Sequence, residues 1–248
     1  MAITALDIIG ALATAGAGGG IKWAIDRYFT ARKEAREASG AGSTPTPTTY
    51  DFASSTGWTV EAGTAGGSAE IADGVARMSL PASTRADWYG AVSHKTAPRI
   101  HRAIPSGDVS VRVRVKTLTG SNGYTRAALF FDKAATPART AQVMVDSAGV
   151  VYSQSDSATN IANTSGTFAL TIDDTAWMRL DMRAGRIVMY CGQSADDQEP
   201  DEWALVGEGP VNFGAVPYDR MGFVVAHYDS LASGPLFEVS RVVVRSLS

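Results

Sequence analysis

Cysteine is nearly absent: Cys191 stands alone in 248 residues. A disulfide within the chain and a cysteine-rich zinc site are both excluded. Histidine is scarce, with His94, His101 and His227, and no His-Glu-x-x-His spacing links any pair for zinc chemistry. No Gly-x-Ser-x-Gly, no phosphate-binding glycine loop and no supported Cys–His pair occurs. Charge of one sign is missing too. Lys plus Arg number 22 against 25 Asp plus Glu, a formal net charge of −3. Such a balance gives no global electrostatic case for nucleic acid, and no basic stripe with interleaved aromatics spans the chain.

What is present divides into three. Residues 1–38 read as helix. They begin with the apolar, small-residue run "ITALDIIGALATAGAGGGIKWAI" and end in the charged "DRYFTARKEAREA". Gly16 and Gly20 form a Gly-x-x-x-Gly spacing that lets helices approach closely. With Ile8, Ile9, Leu12 and Trp23 they make the expected docking or oligomerisation face. The run is long enough to span a bilayer, but Asp7, Lys22 and the glycine triplet Gly18–Gly20 count against a simple span. Residues 39–49, Gly/Ser/Thr/Pro-rich, read as a semi-rigid linker. Residues 50–248 show no helical pattern.

In "DVSVRVRVKTL", Val109, Val111, Val113 and Val115 share one face, and Ser110, Arg112, Arg114 and Lys116 the other. "WMRLDMR" alternates likewise, and Ala184-Gly185 turns it into "RIVMYC" as a hairpin. About a dozen strands at spacings of roughly 8–15 residues predict an all-β fold: an antiparallel β-sandwich preceded by the helix and linker. Cys191 is expected as a small core residue of a strand.

The order of signals carries more than any one of them. It runs "YDFASSTGWTVEAG", "IADGVARMSL", "ADWYGAVSHKTAPRIHRAIPSGDVSVRVRV", "YTRAALFFD", the Trp177–Val206 stretch, "GFVVAH" and "FEVSRVVV". Together these resemble the concanavalin A-like lectin and glucanase jelly rolls, in particular the laminin-G-like and DUF1349-like members with a Trp-x-Arg-Leu strand. The resemblance covers about 50–248. It implies two antiparallel sheets with first and last strands side by side. It also implies glycan recognition, because aromatic rings lie flat on the apolar face of a pyranose while hydroxyls seek polar partners.

Candidate glycan contacts are Trp88, Tyr89, Arg99, Arg112, Arg114, His227 and Tyr228. His94 and His101 read as surface residues, and Trp177 and Trp203 as packing aromatics. Jelly-roll glucanases carry alternating carboxylates in a Glu-x-Asp-x-Glu-type run that sets acid and nucleophile on one face. No such run occurs, so the expectation is a protein that is not an enzyme. The acidic loop with Asp196, Asp197 and Glu199 is the candidate calcium site, calcium needing six to eight oxygens. Asp132 and Asp219 are isolated further candidates. No other cofactor is expected.

A docking helix, a linker and a displayed sandwich also resemble the minor tail or fibre-type proteins of bacteriophages. The expected role is thus a virion component on the particle surface. It would be held by other virion proteins through residues 1–38, homo-oligomeric, and facing a host-surface glycan. The alternatives are a membrane-anchored bacterial carbohydrate-binding protein and a hydrolase of the jelly-roll glucanase type.

Overall fold

The computed structural model describes residues 46–88, 95–120, 125–135, 140–146, 149–155, 160–168, 172, 174–183, 186–194, 198–210, 218–228 and 234–247. The chain divides into two units, Met1–Pro45 and Thr46–Ser248. The expected helix over 1–38, with Ile8, Ile9, Leu12, Gly16, Gly20 and Trp23, lies outside the described residues, as do Tyr89, His94, Asp196 and Asp197.

The second unit is all β. Its strands are β1 (Thr48–Tyr50), β2 (Thr59–Glu61), β3 (Ser68–Ala72), β4 (Val75–Ser79), β5 (Arg99–Ala103), β6 (Val109–Thr119), β7 (Thr125–Asp132) and β8 (Thr140–Asp146). They continue with β9 (Gly149–Ser155), β10 (Asn160–Phe168), β11 (Ala176–Arg183), β12 (Arg186–Gln193), β13 (Ala204–Pro210), β14 (Arg220–His227) and β15 (Leu236–Ser246). One sheet has eight strands in the order β13-β12-β11-β6-β15-β4-β3, with β1 also paired to β15; the other has seven, ordered β10-β9-β8-β7-β14-β5-β2. The first and last strands do lie side by side, Thr48 opposite Val244 and Tyr50 opposite Val242.

The alternation in β6 comes out as read. Val109, Val111, Val113 and Val115 are fully buried between the sheets, while Arg112 and Arg114 stand half-buried on the outer face. Burying each valine contributes about 1.5–3 kcal/mol. Met178, Leu180 and Met182 of β11 point inward beside them, as do Ile187, Met189 and Cys191 of β12. Burial pushes the Cys191 thiol up to about 11, as befits a small core residue. The hairpin of β11 and β12 closes with Arg183 opposite Arg186. From the seven-stranded sheet Ile100, Leu129, Val143 and Phe223 fill the other half of the core. Trp58 and Phe52 plug its end, their rings 5.5 and 6.1 Å from Phe223.

Candidate functional site

Each sheet has an outer face that the core does not use, and the sequence-predicted contacts are shared between the two. On the eight-stranded sheet a transverse row runs Val243, Arg112, Arg179, Tyr190, Leu205. Neighbouring rows add Arg241, Arg114 and Trp177 on one side, and Arg245, Ser110 and Asp181 on the other. Here the side chains are closed onto one another. Asp181, fully buried, accepts two bonds from Arg179, at 2.8 and 2.5 Å, and one from Arg183 at 3.0 Å. Arg114 donates to the Asp174 carbonyl at 2.7 Å.

The acidic loop joining β12 to β13 folds back over this face. Glu199 accepts from Arg112 and, at 2.6 Å, from Arg245. Burial alone would raise its carboxyl pKa; hydrogen bonds from Arg245 and Arg112 outweigh that and hold it below the ordinary range. Pro200 seats against Gly192, where a Cβ would come within 2.9 Å of Pro200 Cγ and of the Glu202 carbonyl. The loop thus lies on glycine because nothing larger leaves room for it. Trp203 lies half-buried near Arg179 and Arg112, 5.5 and 6.0 Å from its ring. Trp177 beneath is fully buried. Both tryptophans pack, as read from the sequence. Glu199 is committed to arginines, and among the described residues no group of three His, Cys, Asp or Glu is placed to hold a metal ion.

The outer face of the seven-stranded sheet is built differently. One row runs Thr59, His101, Gly222, Phe130, Gln142, and another Glu61, Arg99, Val224, Ala128, Met144. Gly222 is required here. A Cβ would meet the Ile100 carbonyl at 2.5 Å and Phe130 Cζ at 2.6 Å, so its absence lets Phe130 lie flat across the strand. Trp88 packs on Phe130, with ring centroids 4.8 Å apart. It belongs to a hairpin anchored by paired backbone bonds between Ala86 and His227, at 2.8 Å each way, and by a bridge from Trp88 to Lys95.

Cations lie over the Trp88 ring: Lys95 Nζ at 4.4 Å and the Arg99 guanidinium at 5.2 Å from its centroid. Lys95 is buried and donates to Thr140 Oγ1. Burial pushes its ammonium down to about 8; Asp132 offsets part of that, while Arg99 and Arg220 add to it. Glu61 binds Arg99 through one oxygen and His101 Nε2 through the other, at 2.7 Å. Burial opposes ionisation of Glu61, and His101 and Arg99 more than offset it, lowering its pKa. Asp132 is taken by Arg220 in a bidentate pair at 2.8 and 2.7 Å.

The predicted contacts therefore separate. Trp88, Arg99, His227 and Tyr228 gather at the seven-stranded sheet, and Arg112 and Arg114 lie under the acidic loop of the other. Trp88 is only 2% exposed, so a sugar reaches its ring only by displacing the cations above it. His227 is buried against Thr125, with Nδ1 at 3.1 Å from its hydroxyl. Tyr228 donates to the Trp88 carbonyl at 3.3 Å. His101, read as a surface residue, is instead 7% exposed, with Glu61 bound to its ring. Asp219, read as an isolated calcium candidate, accepts from the Ala134 backbone at 2.8 Å. The sequence reading missed Lys95, Glu61, Thr140 and the Asp132–Arg220 pair. Arg99 and His101, two apart on β5 around the buried Ile100, were the period-two signal for this face.

No protein-family model and no curated protein sequence matches the chain. Solved structures do. The GH43 BlXynB protein from Bacillus licheniformis superposes with a TM-score of 0.58 at 10% identity, over 80% of this chain and 39% of that one. This chain therefore spans well under half the length of that protein. A prokaryotic beta-1,3-1,4-glucanase (lichenase) from a mouse hindgut metagenome gives 0.56 at 12% identity, over 82% of this chain and 99% of that one. A functionally unknown protein from Saccharomyces cerevisiae gives 0.51 at 13%, over 78% and 95%. At such identities the likeness is one of fold, and it is the jelly-roll sandwich read from the sequence.

It also corrects one expectation. The missing Glu-x-Asp-x-Glu run predicts a chain that is not an enzyme. The structures the chain superposes on include the lichenase, nearly whole, and 39% of a xylan beta-1,4-xylosidase from Bacillus halodurans, at a TM-score of 0.55. The absent run therefore does not rule out catalysis. These neighbours bear on the sandwich alone and lend no support to a phage virion.

Proposed function

We propose that the β-sandwich recognises carbohydrate, and that the ligand meets the outer face of the seven-stranded sheet around Glu61, Arg99, His101 and the hairpin bearing Trp88. The observation that carries this reading is the contrast in charge pairing between the faces. On the eight-stranded sheet an acidic loop already covers the arginines. At the Trp88 cluster, charged and aromatic groups converge, Lys95 has a hydroxyl rather than a carboxylate as its described side-chain partner, and Glu61 keeps 35% of its side chain open. Fixed polar groups beside apolar rings suit sugars, which present both kinds of surface. The similar structures of a xylosidase and a lichenase point to the same ligand class. Affinity electrophoresis of the full chain in gels containing xylan or mixed-linkage β-glucan tests this. Retardation that Glu61→Ala abolishes supports it, and unretarded migration in every glycan rejects it.

Hydrolysis is the second reading, favoured by the match over 99% of the lichenase. Reducing sugar released from β-1,3-1,4-glucan by the full chain supports it, and no release from any glycan that the chain binds contradicts it.

The setting of the domain is a separate proposal. Residues 1–38 serve as a docking segment that joins copies of the chain to one another and to other structural proteins, on a virion surface, with the sandwich displayed outward. The order of apolar segment, Pro/Thr linker and sandwich supports it, as does the division of the chain at Pro45. Detection of the chain in purified particles is the test, and its absence from them ends the proposal.

A further inference from the structure

We propose that the Trp88–Lys95–Arg99 cluster receives the carboxylate of an acidic glycan, a sugar of the uronate class, with Lys95 as its counter-ion. This rests on the carbohydrate reading above and narrows it.

Charge and hydrogen-bond inventory both lead there. Lys95 is 8% exposed, and among the described residues no carboxylate lies within ion-pair distance of it. The acids around it are already committed. Asp132 gives both oxygens to Arg220, and Glu61 gives one to Arg99 and one to His101. With each of those acids matched to an arginine, the Lys95 ammonium is the charge left over. Its described side-chain acceptor is the Thr140 hydroxyl, so an ammonium with three N–H groups has donors to spare. Trp88 Nε1, beside it, is buried with no hydrogen-bond partner. Arg99 has its donors placed on Glu61 and on the Lys95 carbonyl.

The cluster is therefore short of oxygen and short of one negative charge. Neutral sugar hydroxyls would supply the oxygen and leave the charge. A dianion such as a phosphate monoester would overshoot it. A carboxylate supplies both in the right amount, and relieves the cost of burying an unpaired cation.

The lowered pKa of Lys95 gives the proposal a thermodynamic signature. At pH 8 the amine is about half protonated. A bound carboxylate favours the charged form, so binding takes up protons from the buffer. The surface next to the cluster is open at Glu61 and Arg99, whose side chains are 35% and 21% exposed.

The test is calorimetric titration of the full chain at pH 8 in two buffers of different ionisation heat. The probes are trigalacturonate, its methyl ester, xylotriose and cellotriose. Trigalacturonate is expected to bind at least about tenfold more tightly than its ester, with proton uptake and with affinity that falls as salt rises. Lys95→Met, checked for an unchanged circular dichroism spectrum, should lose both the preference and the uptake. Equal affinity for acid and ester overturns the inference, and so does a Lys95→Met protein that keeps the preference. If xylotriose or cellotriose binds and trigalacturonate does not, the charge argument fails while the carbohydrate reading stands. If no probe binds, both fall.

Discussion

The two outer faces have similar raw materials and differ in how their cations are paired. The eight-stranded sheet sets Arg112, Arg114, Arg179, Arg183 and Arg245 together, then closes them with Asp181, Asp174 and a loop that carries Glu199 across. The seven-stranded sheet sets fewer charges together, yet among the described residues it leaves Lys95 without a carboxylate at ion-pair distance. A row of arginines on a strand is therefore a poor guide to a binding face. What matters is whether the fold itself has already supplied the counter-charges.

The largest expected effect is on the closed face. Asp181→Ala leaves Arg179 and Arg183 facing each other without the buried carboxylate that both share. Breaking a buried pair of this kind costs about 3–5 kcal/mol. Denaturant melts should show it as a lower midpoint with an unchanged slope. A loss below about 1 kcal/mol would mean that the arginines swing out to water, and that this face is less closed than described.

The next effect has the opposite sign and lies on the open face. Lys95 has a folded pKa of about 8 against an ordinary 10.5. Below pH 8 both states are protonated and the folded state bears the whole desolvation penalty, which fades as pH rises through 8 to 10.5. The shift corresponds to about 3 kcal/mol, of which the lost bond to Thr140 offsets about 1. Lys95→Met should therefore stabilise the protein by about 2 kcal/mol at pH 7, with the gain gone above pH 10.5. A destabilised variant at pH 7 would show the lysine to be a structural pin rather than an unsatisfied cation.

A smaller effect comes from the loop. Glu199→Gln removes the charge shared by Arg112 and Arg245 and should cost about 1–2 kcal/mol at pH 7. The lowered folded pKa makes this contribution fully present above the ordinary carboxylate range. It is lost as pH falls through the folded value, so wild type and variant should converge in acid. Urea melts from pH 7 down to 3 would register the convergence. Least of all, Leu205→Ser, at 51% exposure on the edge of the closed face, should shift stability by less than about 0.5 kcal/mol.

How far the sequence reached follows from what each signal needs. The strict alternation in β6 and β11 needs only the strand's own period, so the buried valines and the outward arginines were legible. β1 and β2, three residues each, are too short to show a period, which is why fifteen strands stand where about a dozen were counted. The side-by-side first and last strands came from the resemblance. The site was the weaker reading because it depends on long-range closure. Nothing local to "SADDQEPDEW" says that Glu199 reaches Arg112, 87 residues earlier in the chain. Nor does anything local to "SHKTAPRIH" say that Lys95 meets Thr140, 45 residues on, under a hairpin pinned to His227. His101 looked like a surface residue because its partner Glu61 arrives from β2, a strand the sequence barely announces.

Hydrogen exchange of the full chain with and without saturating trigalacturonate tests the central contrast most directly. New protection is predicted in β5, β14 and the segment around Lys95, with β6, β11 and the 198–203 loop unchanged. Protection confined to the arginine face, or none anywhere, would contradict it.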